Sequence, residues 1–103
     1  MKDCTEFIKE EFKNNAEMTP LGEPQIWISL KSNRYFEITH ETAGLPEEDW
    51  YYSVRLHCSE KEFDDNKYED TCGVIDGLVV SCIENIETAL DMLLNLYNDE
   101  ITQ

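Results

Sequence analysis

Residues 25–40 read QIWISLKSNRYFEITH and residues 50–58 read WYYSVRLHC, and these two stretches decide the fold. In both, apolar and polar side chains alternate with the period of two that is typical of a strand with one buried face. Ser32-Asn33 divides the first stretch and predicts a tight hairpin connection. Because consecutive strands usually pair, we expect an antiparallel sheet. The three predicted strands are Gln25–Lys31, Arg34–His40 and Trp50–Cys58.

The ends of the chain carry the helical period of 3.6 residues. Asp3 and Glu6 form a capping-box pattern that predicts a first helix. Ser81 and Glu84 repeat that pattern before an apolar run and predict a helix over Cys82–Asn98. The apolar stripe predicted for this second helix is Ile83, Ile86, Leu90, Leu93 and Tyr97, widened by Ala89, Leu94 and Leu96.

The remaining segments predict less regular structure. Glu17–Pro24 contains two prolines and a glycine and predicts a connecting loop, and the acid-rich Ser59–Asp70 is predicted to be the least structured part. Thr71–Val80 predicts a short fourth strand with a turn at Asp76-Gly77. We therefore predict a single acidic α+β domain over residues 1-103. Its antiparallel three- to four-stranded sheet is flanked by an N-terminal helix and a C-terminal helix.

The charge of the chain restricts its partners. The 23 Asp and Glu against 8 Lys and Arg give a net charge of −15, and no basic residue follows Lys67. Contacts with phosphates need Lys and Arg, so we expect no direct binding of nucleic acid and no attachment to an anionic membrane. A basic protein surface is the natural electrostatic complement. Solubility alone is the alternative explanation for the acidity.

Four cysteines, Cys4, Cys58, Cys72 and Cys82, are enough for two disulfides in an oxidising compartment. The N-terminal residues lack the apolar core of a signal peptide, and no run approaches the roughly 18 apolar residues of a membrane span. We therefore expect a cytoplasmic protein whose cysteines are reduced and pack as small buried hydrophobes.

The patterns of catalytic and metal sites are missing from the sequence. The cysteines, His40 and His57 lack the paired spacing of structural zinc sites, and the glycines are isolated. Asp64–Asp70 lacks the glycine and the ligand spacing of an EF-hand. An acidic chain also does not supply the electropositive surroundings that activate a thiol. We therefore expect no enzymatic activity, no cofactor and no dedicated metal site.

The acidic stretches are interleaved with aromatic residues, and this combination is our candidate site. Interface centres favour aromatic side chains, and charged rims steer association. Trp50 and Tyr52 fall on the predicted core face, which leaves Tyr51 and Tyr68 as the aromatic candidates. The predicted partner-binding residues are Glu47, Glu48, Asp49, Tyr51, Glu60, Glu62, Asp64, Asp65, Tyr68, Glu69 and Asp70.

In size, charge and order of elements, the chain resembles small acidic inhibitors carried by phages and mobile elements, such as anti-CRISPR proteins that mimic DNA. The resemblance concerns composition and architecture and includes no family motif. It implies a non-enzymatic inhibitor that occupies the nucleic-acid-binding surface of a basic protein or nuclease. Acidic immunity proteins and antitoxins against nuclease toxins match equally well on charge. A small regulatory adaptor that binds through an apolar patch is a further alternative.

Overall fold

A computed structural model describes residues 4–99 and contains a five-stranded antiparallel sheet with helices packed on one face. The strands follow one another across the sheet in chain order. This architecture confirms the predicted α+β class with its N-terminal and C-terminal helices, and it adds one strand. The elements are α1 (Thr5–Asn14), β1 (Glu17–Met18), β2 (Pro24–Ser29), β3 (Tyr35–Glu41), β4 (Tyr51–His57), α2 (Glu60–Asp64), β5 (Val74–Val80) and α3 (Ile86–Tyr97). Short 3-10 turns occupy Glu47–Asp49, Glu69–Thr71 and Ile83–Asn85.

The core lies between one face of the sheet and the helices α1 and α3. Alternate residues of β2, β3 and β4 point to this face, as the period of two predicts. Helix α1 contributes Ile8 near its start, and α3 contributes the stripe spaced by three and four residues. The largest fully buried side chains are Ile8, Ile26, Phe36, Ile38, Val54, Leu56, Ile86, Leu90 and Leu93.

The predicted hairpin connection between β2 and β3 is confirmed. The backbone N–H of Leu30 donates to the carbonyl of Arg34 at 2.9 Å and closes the loop. Asn33 adopts a left-handed conformation with φ +69°. Asparagine tolerates this conformation better than most residues, and a left-handed residue typically ends a three-residue hairpin loop.

The prediction of a plain loop over Glu17–Pro24 is wrong, because β1 pairs with the start of β2. A tight turn brings the two together: the N–H of Thr19 donates to the carbonyl of Glu23, and Gly22 donates to Thr19. Gly22 has φ +81°, which only glycine adopts without strain. The prolines and the glycine therefore mark a hairpin, and the connection carries a short strand of its own.

The predicted turn at Asp76-Gly77 is also wrong, because β5 runs straight through this pair. Gly77 lies opposite Arg55 of β4. A Cβ on Gly77 would lie 3.2 Å from the carbonyl oxygen of Val54, so the glycine permits a close approach between strands. The hydroxyl of Tyr97 donates to Asp76 at 3.0 Å and fixes the carboxylate that would otherwise favour a turn.

Ser59–Asp70 is more ordered than predicted. Ser59 and Glu62 form a complete capping box, in which each side chain accepts a hydrogen bond from the other residue's backbone N–H. The box starts α2, and a 3-10 turn over Glu69–Thr71 follows. The S-x-x-E pattern of this box is a local signal for a helix start, whereas the density of acids predicted the least structured part of the chain.

The start of the last helix differs from the prediction. Cys82 is extended, the next three residues form a 3-10 turn, and Ser81 forms no cap with Glu84. Regular α-helix begins at Ile86, where the buried stripe begins. Leu96, predicted to widen that stripe, is 65% exposed. The first capping-box prediction includes Asp3, which lies outside the described residues. Between residues 4 and 99, no helix has both the length and the apolar character needed to cross a membrane.

Candidate functional site

The predicted acidic residues fall into two groups at opposite ends of β4. We call Glu47, Glu48 and Asp49 the loop acidic cluster, since they form the 3-10 turn that leads into β4. The residues of α2 and the turn after it follow the other end of that strand, about 20 Å away at 3.4 Å per residue. The structure therefore divides the predicted site into two. The helical acidic cluster consists of Glu60, Asp64, Asp65, Glu69 and Asp70.

Most of these acidic residues are exposed to solvent. Both clusters are exposed, and within residues 4–99 only Asp65 among them forms an ion pair, with Lys61 at 2.8 Å. Both side chains of that pair are exposed, so the pair contributes little to the stability of the fold. Within the two clusters, the acidic residues that are exposed and take part in no ion pair between residues 4 and 99 are Glu47, Glu48, Asp49, Glu60, Asp64, Glu69 and Asp70.

Glu62 behaves differently from its neighbours in α2. Its carboxylate accepts two hydrogen bonds from the Arg34 guanidinium, at 3.0 Å from Nε and 2.8 Å from Nη2. The same carboxylate closes the capping box with the N–H of Ser59. Arg34 also lies 3.5 Å from the carboxylate of Asp99, whose side chain is 4% exposed. Glu62 is therefore engaged inside the protein, and we leave it out of the contact surface.

This network has the electrostatics of a structural ion pair. The hydrogen bonds from Arg34 lower the pKa of Glu62 to about 2, against desolvation, which raises it. The same contact raises the pKa of Arg34 above its usual value. The Arg34–Glu62–Asp99 network joins the β2–β3 connection, α2 and the segment after α3. The roles of Arg34 and Asp99 were not predicted, since residues 65 positions apart show no local pattern.

The aromatic residues near the clusters are placed partly as predicted. Tyr51 is exposed at the start of β4, and Tyr68 is half-buried in a left-handed conformation with φ +60°. Tyr52 stacks on His40, with ring centroids 4.3 Å apart, on the core side. Trp50, however, is exposed and donates its indole N–H to the carbonyl of Leu45. The strand begins one residue after Trp50, so the alternation predicted for it does not apply.

The sheet face opposite the helices carries a polar network centred on Glu37. Its carboxylate accepts from Gln25 at 2.7 Å and lies 3.0 Å from Nε2 of His57. The hydrogen bond with His57 lowers the pKa of Glu37, although burial opposes the shift. Arg55 lies 3.8 Å away, so this carboxylate is internally paired. Trp27 is 41% exposed on the same face.

The cysteines show no sign of a reactive or metal-binding site. None of the four forms a disulfide within residues 4–99, and burial raises the pKa of Cys58, which keeps that thiol protonated. Cys72 was expected to be buried, but it is exposed because it follows a 3-10 turn with φ +54°, outside the sheet. No group of three His, Cys, Asp or Glu side chains in the described part of the chain could hold a metal ion.

Comparisons with models of protein families, with curated proteins and with solved structures found no match for this chain. Its function is therefore inferred from its own surface.

Proposed function

We propose that this protein is a non-enzymatic acidic inhibitor that binds a basic nucleic-acid-binding protein or nuclease by presenting carboxylates in place of phosphates. The observation that supports the proposal is the set of seven exposed acidic residues, in two clusters, that form no ion pair with any cation in residues 4–99. Such a surface projects a negative field over about 8 Å at physiological salt. A cleft lined with Lys and Arg is its complement.

The spacing of the clusters fits this role. Their separation of about 20 Å equals about six base-pair steps of B-DNA at 3.4 Å each. A partner that holds a short duplex therefore has basic residues over the distance that both clusters span. β4 and the Arg34–Glu62 pair hold the two clusters in place. Binding therefore immobilises few additional groups, which limits the loss of conformational entropy. A CRISPR nuclease and a nuclease toxin both fit this description of the partner.

A regulatory adaptor is the second candidate function, and exposed apolar residues one turn apart on α3 favour it. Met92 and Leu96 are each more than half exposed, although the remaining apolar residues of α3 belong to the core or pack against it. Binding through such a patch would depend little on salt. Salt dependence therefore separates the two candidates.

The test begins with the partner, captured from the native host and then purified. Its affinity for this protein is measured between 0.01 and 0.15 M salt, with and without competing duplex. We expect association to slow as salt rises, because the Debye length falls from about 30 Å to about 8 Å. We also expect saturating nucleic acid to displace the protein. Tight binding that neither salt nor nucleic acid affects would leave the adaptor as the better proposal.

Matched charge reversals locate the contact. Replacing Glu47, Glu48 and Asp49 with lysine changes the net charge by the same amount as replacing Glu10, Glu11 and Glu17. The first variant should weaken binding far more than the second, because Glu10 and Glu11 lie in α1 and Glu17 lies in β1, outside both clusters. Reversing Asp64, Glu69 and Asp70 tests the helical acidic cluster against the same threefold control. Equal losses in the loop variant and the control would show that only total charge matters.

A further inference from the structure

Trp50 follows the loop acidic cluster directly and is 37% exposed. Its indole N–H donates to the carbonyl of Leu45 at 3.0 Å, so the only polar atom of this side chain is already paired within the protein. The exposed part of the ring therefore needs no hydrogen bond from water. A ligand that stacks on the ring displaces water from an apolar surface and leaves no polar atom of the ring unsatisfied.

The indole lies against the 3-10 turn that carries the acids. Its hydrogen bond reaches back across the turn, because Leu45 precedes the turn and Trp50 follows it. Trp50 keeps a helical φ of −62°, and its backbone N–H donates to the carbonyl of Glu47 at 3.2 Å. Side chains three residues apart lie above one another in a 3-10 helix, so Glu47 and Trp50 leave the turn on the same side. Glu48 and Asp49 lie within two residues of Trp50, and their field extends over a Debye length of about 8 Å.

Contacts inside the protein position this end of the sheet. Glu23 is 6% exposed, and its carboxylate accepts the backbone N–H groups of Thr42 and Ala43 at 2.9 and 3.0 Å. These hydrogen bonds fix the start of the connection between β3 and β4. The ring of His40 meets Trp50 edge to face, with centroids 5.4 Å apart. Trp50 is therefore positioned before a partner arrives, which lowers the entropic cost of binding.

The charges beside Trp50 select a cation as the ligand. The three acids of the turn form no ion pair within residues 4–99. Desolvation lowers the pKa of His40, so this neighbouring ring is neutral at physiological pH and does not compensate them. The face of a tryptophan attracts cations as the carboxylates do. A guanidinium suits both features best, because it is planar and weakly hydrated, stacks on aromatic rings and donates paired hydrogen bonds to a carboxylate.

We propose that Trp50 and the loop acidic cluster bind an arginine side chain of the basic partner. Its guanidinium stacks on the exposed indole and donates hydrogen bonds to Glu47. This inference rests on the proposed function, since it takes the partner to be basic. It adds a directional contact with one side chain to an otherwise long-range electrostatic attraction.

Trp27 provides an internal control. It is 41% exposed on the open face of the sheet and lies opposite Glu37 in the strand register. The carboxylate of Glu37, however, already accepts from Gln25 and contacts His57. The two tryptophans are thus similarly exposed, but only Trp50 lies beside acids without an internal ion pair. Trp27 should therefore bind a guanidinium more weakly.

The first test uses an eight-residue peptide of alternating glycine and arginine, titrated into the isotopically labelled protein. The two indole N–H signals in NMR spectra are assigned with Trp27→Phe. We expect the signal of Trp50 to shift and that of Trp27 to stay. The same peptide with lysine in place of arginine has equal charge and should bind about threefold more weakly. Equal affinities, an equal shift at Trp27, or no shift at millimolar peptide would overturn the proposal.

The second test changes the protein. Trp50→Leu removes the aromatic ring without altering the charge, and Trp27→Leu is the matched control at a similarly exposed position. We expect binding of the arginine peptide to weaken about two- to fivefold in the first variant and to stay nearly unchanged in the second. Equal affinities of the two variants would contradict the stacked guanidinium. If Trp50→Leu does not fold, the indole shifts of the wild-type protein decide.

Two further outcomes, measured with the captured partner, separate this inference from the proposed function. A partner that nucleic acid and salt displace, but that binds Trp50→Leu as well as Trp27→Leu, would overturn only the arginine site. A partner that nucleic acid and salt do not affect, but that binds Trp50→Leu more weakly than Trp27→Leu, would overturn only the mimicry.

Discussion

The two acidic segments of this protein, Glu47–Asp49 and Glu60–Asp70, look alike in composition and are built differently. The first is a single 3-10 turn whose carboxylates form no ion pair within the described residues 4–99. The second is anchored through Glu62, which holds Arg34 with two hydrogen bonds and caps α2. A dense run of acids can therefore contain one that stabilises the fold among others that face a partner. Whether an acid stabilises the fold or faces a partner depends on whether a Lys or Arg side chain lies beside it.

The largest expected effect on stability comes from truncating a fully buried side chain of α3. Leu90 lies on α3, and its side chain is fully buried against the sheet. Leu90→Ala should therefore lower the free energy of unfolding by about 2–5 kcal/mol. Urea denaturation with unchanged slope would measure it. The exposed Leu96 on the same helix is the control, and Leu96→Ala should change stability by less than about 0.5 kcal/mol. Equal effects at the two positions would mean that the buried face of α3 is misassigned.

The next effect tests the contrast within α2. Glu62→Gln should destabilise the protein by about 1.5–3 kcal/mol, because it removes the charge-assisted hydrogen bonds between this carboxylate and the partly buried Arg34. Glu60→Gln removes the same charge from an exposed position and should fall within about 0.5 kcal/mol of wild type. Denaturation midpoints of the two variants give the comparison directly. Equal stabilities would show that Glu62 is as dispensable as its neighbours.

The same contrast should depend on pH. The pKa of Glu62 is about 2 in the folded protein and near 4.5 when unfolded, so its contribution is complete above about pH 4.5. As pH falls toward 2, the unfolded state takes up the proton first and that contribution disappears. The stability gap between wild type and Glu62→Gln should therefore close between about pH 4.5 and 2. Unfolding curves at pH 7, 4 and 2.5 test this, and a constant gap would contradict the assigned ion pair.

The smallest effect concerns the loop acidic cluster. Replacing Glu47, Glu48 and Asp49 with their amides should raise stability by only about 0.2–0.5 kcal/mol, because it relieves repulsion between neighbouring like charges. The gain should shrink in 0.5 M salt, where repulsion is screened. Thermal unfolding at low and high salt gives the measurement. A loss of stability at low salt would indicate that the cluster has a structural role of its own.

Much of the sheet was predictable, whereas much of the site was not. The alternation in Gln25–Lys31 and Arg34–His40 identified both strands and their buried faces, because one-sided burial imposes a period of two. The acidic residues were also identified as a group. Their division into two clusters was not predicted, since it follows from the length of β4, which places a seven-residue strand between them.

The α+β class, the faces of β2 and β3, and the net charge of −15 follow from the sequence alone, because period and charge are local or additive properties. The engagement of Glu62 within the protein and the exposure of Glu60 to solvent, in contrast, depend on tertiary contacts. That choice depends on Arg34, 28 residues away, which the sheet register and the capping box bring within 3 Å. The path of β5 through Asp76 and Gly77 was decided in the same way. The neighbouring strand β4 pairs with β5 along this stretch and holds it extended. No property of the dipeptide alone distinguishes a strand from a turn.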